Sequence, residues 1–508
     1  MRRHSRSLRS LGLFLALLTS ACPGEPDRAR LSPEPSPRAG TVRFGYPEEP
    51  PSLNPVTDPS PASRDLLRPV LPSFYLVTPD LEYRPYLLSG EPAVRREPDR
   101  MTVRFRIRDD ATWSDDRPIT VDDVQFTWRV MTRVEAADPE GFDHLVAVEE
   151  ESPRVGRLVL RPPLASWRDL FSAGRFVLPS HAAGNPSEVA EWQQGPPVTA
   201  GPFRLERWIR GRSVTLVADP SFWGPAPAVE RIEVAFVPDP TTALQLLARG
   251  SLDAVASMAG ISWGRRLDAV PGVTVSRAVG PDLVHLVTNT DSLPSAEVRR
   301  RILDGIDRDR LVEVVLRDEA ITADGVLAPE VPGAEPAWEA YGEGRHRSVA
   351  IPGELDLVYV RAERTDLVAR YLQAELERVE VDVELVPLES DVFHGIFVPE
   401  RRFDLALWEL RSAPSPDLWP WVELPGAASP ITGLSQPDVA RLASGAAVGG
   451  RESGRLLAQA QTDLAERAPV LPLYQPQVTM GWRAGVAGPA ANPTADGPLW
   501  NAETWRSS

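Results

Sequence analysis

Residues 199–255 restrict the fold more than any other stretch of the chain. Apolar and polar residues alternate there three times: at Phe203 and Leu205, at Val214 and Leu216, and at Ile232, Val234 and Phe236 around Glu233 and Ala235. A period of two places one side of each segment on a core, so three half-buried strands are predicted. Asp219-Pro220 and Trp223-Gly224-Pro225 interrupt the strands with turn chemistry. A helix is predicted next. Asp239 can cap it, Pro240 suits its first position, and Gly250 can close it in the left-handed conformation. Ala243, Leu244, Leu247 and Ala248 would form its apolar stripe. The stretch thus reads as three short strands, two turns and a helix.

The order of these pieces resembles the family 5 solute-binding proteins of ABC importers, the oligopeptide-, dipeptide- and nickel-binding type. The residues that carry the resemblance are Thr199-Ala200-Gly201-Pro202-Phe203, Trp208, Asp219-Pro220-Ser221-Phe222-Trp223-Gly224, Pro238-Asp239, Leu246, Gly250 and Asp253. A single Gly-Pro or Trp-Gly would carry nothing; the ordered set does. Further matches are Leu53-Asn54-Pro55, Tyr83-Arg84-Pro85, residues 108–124, Asn289-Thr290, residues 297–308 and Ala468-Pro469-Val470-Leu471-Pro472-Leu473-Tyr474. Asp116 stands where the family has a turn glycine. The resemblance covers roughly residues 41–508. It implies a bilobal, periplasmic-binding-protein-like α/β fold of type II, in the large three-domain form, with a ligand cleft between the lobes. The domains expected from it are a first lobe from 41–72, 198–285 and 475–508, an inserted domain over 73–197, and a second lobe over 286–474.

Several local patterns have two readings. The Asp residues at 109, 110, 115, 116, 122 and 123 are better accounted for by turns and by a helix capped at Thr120 than by a metal or an acid–base pair. Val121, Val124, Trp128 and Met131 share one face of that helix. Arg299, Arg300 and Arg301 read as a solvated face with local ion pairs, beside a buried stripe of Val298, Ile302 and Ile306. Residues 366–379 read as an amphipathic helix with Leu367, Tyr371, Leu372 and Leu376 on one side, and residues 355–360 and 403–408 as strands. Strand, helix and further strands in that order predict parallel pairing.

The N-terminus bears on location. Arg2, Arg3, Arg6 and Arg9 precede an apolar run from Leu11 to Leu18, too short to span a membrane. Thr19-Ser20-Ala21-Cys22 follows, and Cys22 is the only cysteine. The order resembles a bacterial lipoprotein signal over residues 1–22, with Thr19 where leucine is usual, and implies lipidation of Cys22. Residues 23–40 hold five prolines and read as an extended tether. The expected place is extracytoplasmic, anchored to the outer face of a cell membrane, or periplasmic. One cysteine excludes an intramolecular disulfide and a cysteine-based metal cluster. The net charge of −16, with every basic residue an arginine, argues against a nucleic-acid partner.

The expected ligand residues rest on the resemblance. In the family's peptide binders the ligand strand leads into G-W-x-x-D, whose Asp pairs with the peptide's amino group. Trp408 keeps its place here, but Arg411 stands where the Asp would be. An alignment shifted by a few residues brings Asp417 to that role. Trp419 and Trp421 follow, either as an apolar floor for ligand or as lobe packing. Tyr46, Glu49 and Asn54 are candidates on the first lobe by position. Arg411 would favour an acidic or amine-blocked ligand over a free amino terminus, unless it points to solvent or pairs with Glu409 or Asp417. No cofactor or metal is expected. The implied function is capture of a peptide or similar small solute by a monomeric protein and its delivery to ABC permease subunits. The alternative is a ligand-sensing receptor on the same fold, not coupled to import. An enzyme is not expected: there is no H-E-x-x-H, a nucleophilic serine in a G-x-S-x-G motif is not expected either, and the six histidines are scattered.

Overall fold

The computed structural model describes residues 40–507, apart from 59, 137–138, 259, 261, 318, 330–333, 335, 340, 342–349, 352, 411–430, 435–441, 443–444 and 447–451. The organising stretch folds as the alternation requires. Strands Phe203–Ile209, Ser213–Ala218 and Arg231–Phe236 form an antiparallel meander. The last of them pairs in parallel with Thr41–Tyr46, with Ile232 beside Val42 and Val234 beside Phe44. Those four side chains are wholly buried. Helix Pro240–Arg249 begins at Asp239, whose carboxylate accepts from the Thr241 and Thr242 amides, and ends at Gly250 with φ of 77°.

Two motif residues of this stretch meet at the far end of the first strand. Asp253 takes both Nε and Nη2 of Arg43, at 2.9 and 2.8 Å, and the Arg43 amide at 2.8 Å. Arg43 Nη2 also donates to the Gly250 carbonyl at 2.6 Å. The fork therefore pins the helix C-terminus to the first strand. Asp253→Ala is expected to lower stability by about 2–3 kcal/mol, because it strips a guanidinium of its paired acceptors. A urea midpoint equal to wild type would show that water replaces the pair at no cost.

The long strand Val470–Arg483 joins the two halves of a 12-stranded sheet. Its first half pairs with Leu283–Thr288, and its second half with Val273–Val279 and Ala254–Val255. The chain thus crosses between lobes twice, side by side, at 280–282 and near 476. Gln475 Nε2 ties the crossings together by donating to the Gly280 carbonyl at 3.0 Å. Beyond them, Leu355–Val360 lies parallel to both Val383–Leu388 and Leu405–Leu410, as expected.

The first hydrophobic core runs without a break from Val42 and Phe44 through Phe74, Phe105, Trp113 and Phe171 to Trp505. It therefore includes the four-stranded sheet of Ala93–Glu97, Arg100–Arg106, Val155–Leu160 and Leu145–Ser152, covered by helix Val121–Arg133. A ladder of rings and cations reinforces the joint. Arg68 lies 4.8 Å from the Tyr86 ring, Tyr86 is 5.2 Å from Trp223, and Arg108 is 5.1 Å from Trp223. Asp116 takes the turn conformation with φ of 64°, which aspartate tolerates better than most residues. Asp123 is spent on the fold, accepting from the amides of Thr120 and Ser180 at 2.8 Å each. A second core spans residues 284–474, with Leu286, Ile302, Leu357, Leu372 and Leu471 at its centre.

Three expectations need correction. The helix predicted over 366–379 is Glu363–Glu377, and Leu367 is 41% exposed. Val368, Ala369, Leu372 and Leu376 carry its buried stripe, which is rotated by one residue from the predicted face. The strand predicted over 403–408 is shifted to Leu405–Leu410. Arg299 is not on a solvated face. It is buried, and it donates to the carbonyls of Leu293, Pro294, Arg467 and Ala468 at 2.6–3.3 Å. It thereby satisfies the orphan C-terminus of helix Ser453–Arg467, where a cation is favoured.

Candidate functional site

A cavity of about 1480 Å³ opens beside the crossing strands. That exceeds the ~300–1,000 Å³ of ordinary small-molecule pockets, and leaves room for a solute the size of a short peptide. Among the described residues, its wall comes from the strand end at Tyr46, helix Pro61–Leu67, the loop after helix Val121–Arg133, residues 164–178, the crossings, and residues 491–498.

The first-lobe part of this wall is tightly built. Ser60 caps helix Pro61–Leu67, and Pro61 occupies its first turn. Its buried side presents Asp65, only 8% exposed. Tyr46 leaves the sheet at this point, and its hydroxyl donates to Asp65 Oδ2 at 2.6 Å. Gly497 lies against the other carboxylate oxygen. Its φ is 61°, and a Cβ there would stand 2.0 Å from Asp65 Oδ1. Next to it Asp496 is wholly buried, accepts from the Val77 amide at 2.6 Å, and faces Arg68 Nε at 3.4 Å. Asn492 reaches the Val77 carbonyl at 2.8 Å, so residues 491–498 are clamped to strand Tyr75–Val77.

The electrostatics follow from burial. Asp65 is pushed up to about 6, chiefly by desolvation; the Tyr46 bond and Arg64 oppose this, while Asp496 and Glu48 add to it. Burial and the Asp65 charge hold the Tyr46 hydroxyl well above its ordinary range. Burial also raises Asp496, against the pull of Arg68. Among the described residues, seven carboxylates line the cavity, from Asp58, Asp65, Glu135, Glu140, Asp143, Asp169 and Asp282, against the two guanidiniums of Arg64 and Arg175.

Of the residues expected from sequence, Tyr46 lines this cavity. Glu49 instead accepts from Trp208 Nε1 at 2.9 Å and the Gly211 amide at 2.8 Å, fastening its loop to the meander. Asn54 is fully buried. Its amide donates to the Val189 carbonyl at 2.7 Å, and its oxygen accepts from Val56 and Thr57. Trp408 is half-buried on the second lobe, 5.8 Å from Phe393 and 5.4 Å from His394. Arg411, Asp417, Trp419, Trp421 and Cys22 lie outside the described residues. Asp65 and the 491–498 segment were missed. A usable signal was an aspartate directly before Leu66-Leu67, at a position that a cap or turn does not explain.

Gly260-Ile261-Ser262-Trp263-Gly264 does match the G-x-S-x-G pattern of serine hydrolases. Ser262 has φ of 67° at the start of helix Trp263–Asp268. Its hydroxyl, however, accepts from Arg265 at 3.0 Å and Arg317 at 3.4 Å, and no imidazole bonds to it among the described residues. A nucleophile needs a base within hydrogen-bond reach.

Comparison with known proteins agrees with this geometry. The pattern of the bacterial extracellular solute-binding proteins, family 5 Middle, matches residues 83–425, more than half of the chain. The "Probable monoacyl phosphatidylinositol tetramannoside-binding protein LpqW" of Mycobacterium tuberculosis is 28% identical over 334 residues, 62% of this chain and 52% of that protein. The chain thus spans about half the length of that relative. The oligopeptide-binding protein OppA of the same organism is 24% identical over 436 residues, 78% of this chain and 70% of its own. Among solved structures, the periplasmic EDTA-binding protein EppA superposes with a TM-score of 0.81 at 20% identity, covering 92% of this chain and 97% of its own. The substrate-binding protein CtaP of Listeria monocytogenes gives 0.82 at 17% identity, with 92% and 99% covered. The fold is that of the periplasmic binding proteins, and these relatives are binding proteins rather than enzymes. With its motifs, its cavity and the match over residues 83–425 in agreement, the chain belongs to the family 5 extracellular solute-binding proteins of bacteria.

Proposed function

We propose that the protein captures a peptide or similar small solute outside the cytoplasm and delivers it to the permease of an ABC importer. The observation that carries this reading is the cavity of about 1480 Å³ placed where the two strands cross between lobes. The lining of the cavity comes from the first half of the chain, the crossings and the C-terminal return, so a bend at the crossings would bring the second lobe over a solute held there. The relative named for oligopeptide binding supports a small, polar cargo. Mass spectrometry of the solute released from purified protein tests the reading. With that solute added back at a hundredfold excess over Kd, stability is expected to rise by about 2.7 kcal/mol. Small-angle scattering is expected to show a smaller radius in the same sample, and an unchanged radius at saturation would count against closure.

The second part of the proposal is a lipid anchor at Cys22. No helix among the described residues is long and apolar enough to cross a membrane. The basic, apolar and small-residue order of residues 2–22 supports acylation of that cysteine. Two acyl chains, each gaining ~0.8 kcal/mol per buried CH₂, hold a protein stably at a membrane. Cys22→Ala is expected to move the protein from the membrane to the soluble fraction. Wild-type protein found fully soluble, with a free thiol, would refute the anchor.

A further inference from the structure

We infer that the solute carries an ammonium or guanidinium group, and that Asp65 in the first-lobe wall is its counter-ion. This rests on the solute-binding reading above and adds the charge of the cargo and the residue that selects it.

Asp65 differs from the other carboxylates around the cavity. Asp58 is consumed by its own loop, accepting from Ser52 and Ser60. Asp169 is equally buried and also accepts from a tyrosine hydroxyl, that of Tyr83, but the Arg175 guanidinium stands beside it, donating to the Asp169 backbone carbonyl. Asp65 sits on a capped helix, lines the cavity and is more than nine-tenths buried. Its bond from Tyr46 at 2.6 Å fixes its direction, but a hydroxyl does not cancel a charge. Arg64 offsets that charge in part, while Asp496 and Glu48 add to the negative field.

A cation is the group this wall can best accommodate. A charge-assisted N–H···O bond to a carboxylate already out of water is about twice as strong as a neutral one. A neutral solute would leave the carboxylate desolvated and unbalanced. An anion would meet repulsion from Asp65, Asp496 and Glu48 together. Glu135 and Asp143, exposed at the rim, add a negative field that concentrates cations at the entrance. Gly497 completes the arrangement. Any larger residue there would displace the carboxylate.

The test uses four probes titrated calorimetrically into the full-length protein after removal of any bound solute. They are end-blocked Ala-Lys-Ala, the same peptide with acetylated lysine, end-blocked Ala-Glu-Ala, and agmatine. The lysine peptide or agmatine is expected to bind at least tenfold more tightly than the acetylated and acidic peptides. Asp65→Asn is expected to abolish that preference while retaining the fold, shown by an intact melting transition. Asp65→Glu is expected to keep the sign of the preference at lower affinity. Equal binding of the neutral peptide, tighter binding of the acidic one, a preference that survives Asp65→Asn, or no binding by any probe would overturn the inference. Mass spectrometry of the released solute separates the two levels. A neutral or anionic solute refutes the counter-ion and leaves solute binding standing, whereas no released solute and no binding probe refutes both.

Discussion

A His285→Leu variant is expected to resist acid better than wild type. His285 lies in strand Leu283–Thr288, one of the two that approach the crossings, opposite Trp408 on one side and Pro472 on the other. It is wholly buried, and among the described residues the backbone of Leu283 gives its imidazole the only polar support, too weak in geometry to satisfy both ring nitrogens. Burial holds the imidazole down to about 3, with only the Leu283 backbone in opposition. The ordinary value is 6.5, so between these two pH values the unfolded chain binds a proton that the folded chain refuses. Stability from the neutral imidazole is therefore fully present above pH ~6.5 and is lost as pH falls, by ~1.4 kcal/mol per unit. That amounts to roughly 2 kcal/mol at pH 5 and up to about 5 near pH 3. Leucine has no titrating atom and leaves no buried nitrogen unpaired, an orphan that itself costs about 1–3 kcal/mol. Urea unfolding at pH 7.5 and 5.0 measures the effect. The stability lost between these pH values should be about 2 kcal/mol smaller in the variant. Equal losses in the two proteins would mean that the folded state takes up the proton at no cost.

The fold was legible where local chemistry and tertiary packing agree. Asp239, Pro240 and Gly250 mark the helix ends because capping is a property of neighbouring residues. The strands of residues 199–255 were legible because one of their faces is solvated, which leaves an alternation in the sequence. The rotation of helix Glu363–Glu377 was not legible. Leu367 and Leu372 are chemically alike, and only the position of the sheet beneath decides which is covered. Arg299 was misread for a related reason. Its acceptors are the carbonyls of Leu293, Pro294, Arg467 and Ala468, and two of these lie more than 160 positions away.

The site was less legible than the fold, because it is made of groups distant in sequence. Tyr46, Asp65 and Gly497 meet through the return of the C-terminus, which the sequence places in the first lobe without showing which of its residues reach the cavity. Glu49 and Asn54 stand next to Tyr46 in the chain and have suitable chemistry, yet their polar atoms are satisfied by Trp208, Gly211 and Val189. Proximity in sequence to a cleft strand does not separate residues that face the cleft from those that build its support. The difference lies in which hydrogen bonds remain to be made.

Asp65→Asn is expected to make the solute-free protein more stable at neutral pH. Loss of a carboxylate bonded at 2.6 Å would ordinarily weaken a fold, so the sign is informative. Asp65 in the folded state is raised from 3.8 to about 6, mainly by burial. Between these values the folded protein holds a proton that the unfolded chain releases. The stability associated with this group is therefore fully present below pH ~3.8 and is lost as pH rises through 6, about 3 kcal/mol in all. Asparagine keeps an acceptor for the Tyr46 hydroxyl and carries no charge. The variant should exceed wild type by roughly 2–3 kcal/mol at pH 7.5, and the two should converge near pH 4. His285 titrates in both proteins and cancels in the difference. Stability retained against the fold's interest is the mark of a functional group, since sites keep charges that a folding optimum would discard. A bound cation should reverse the order, stabilising wild type and leaving Asp65→Asn unmoved. If the variant is instead less stable than wild type at pH 7.5, the carboxylate is a structural acceptor whose charge is already compensated. The energetic argument for a cationic solute would then be lost.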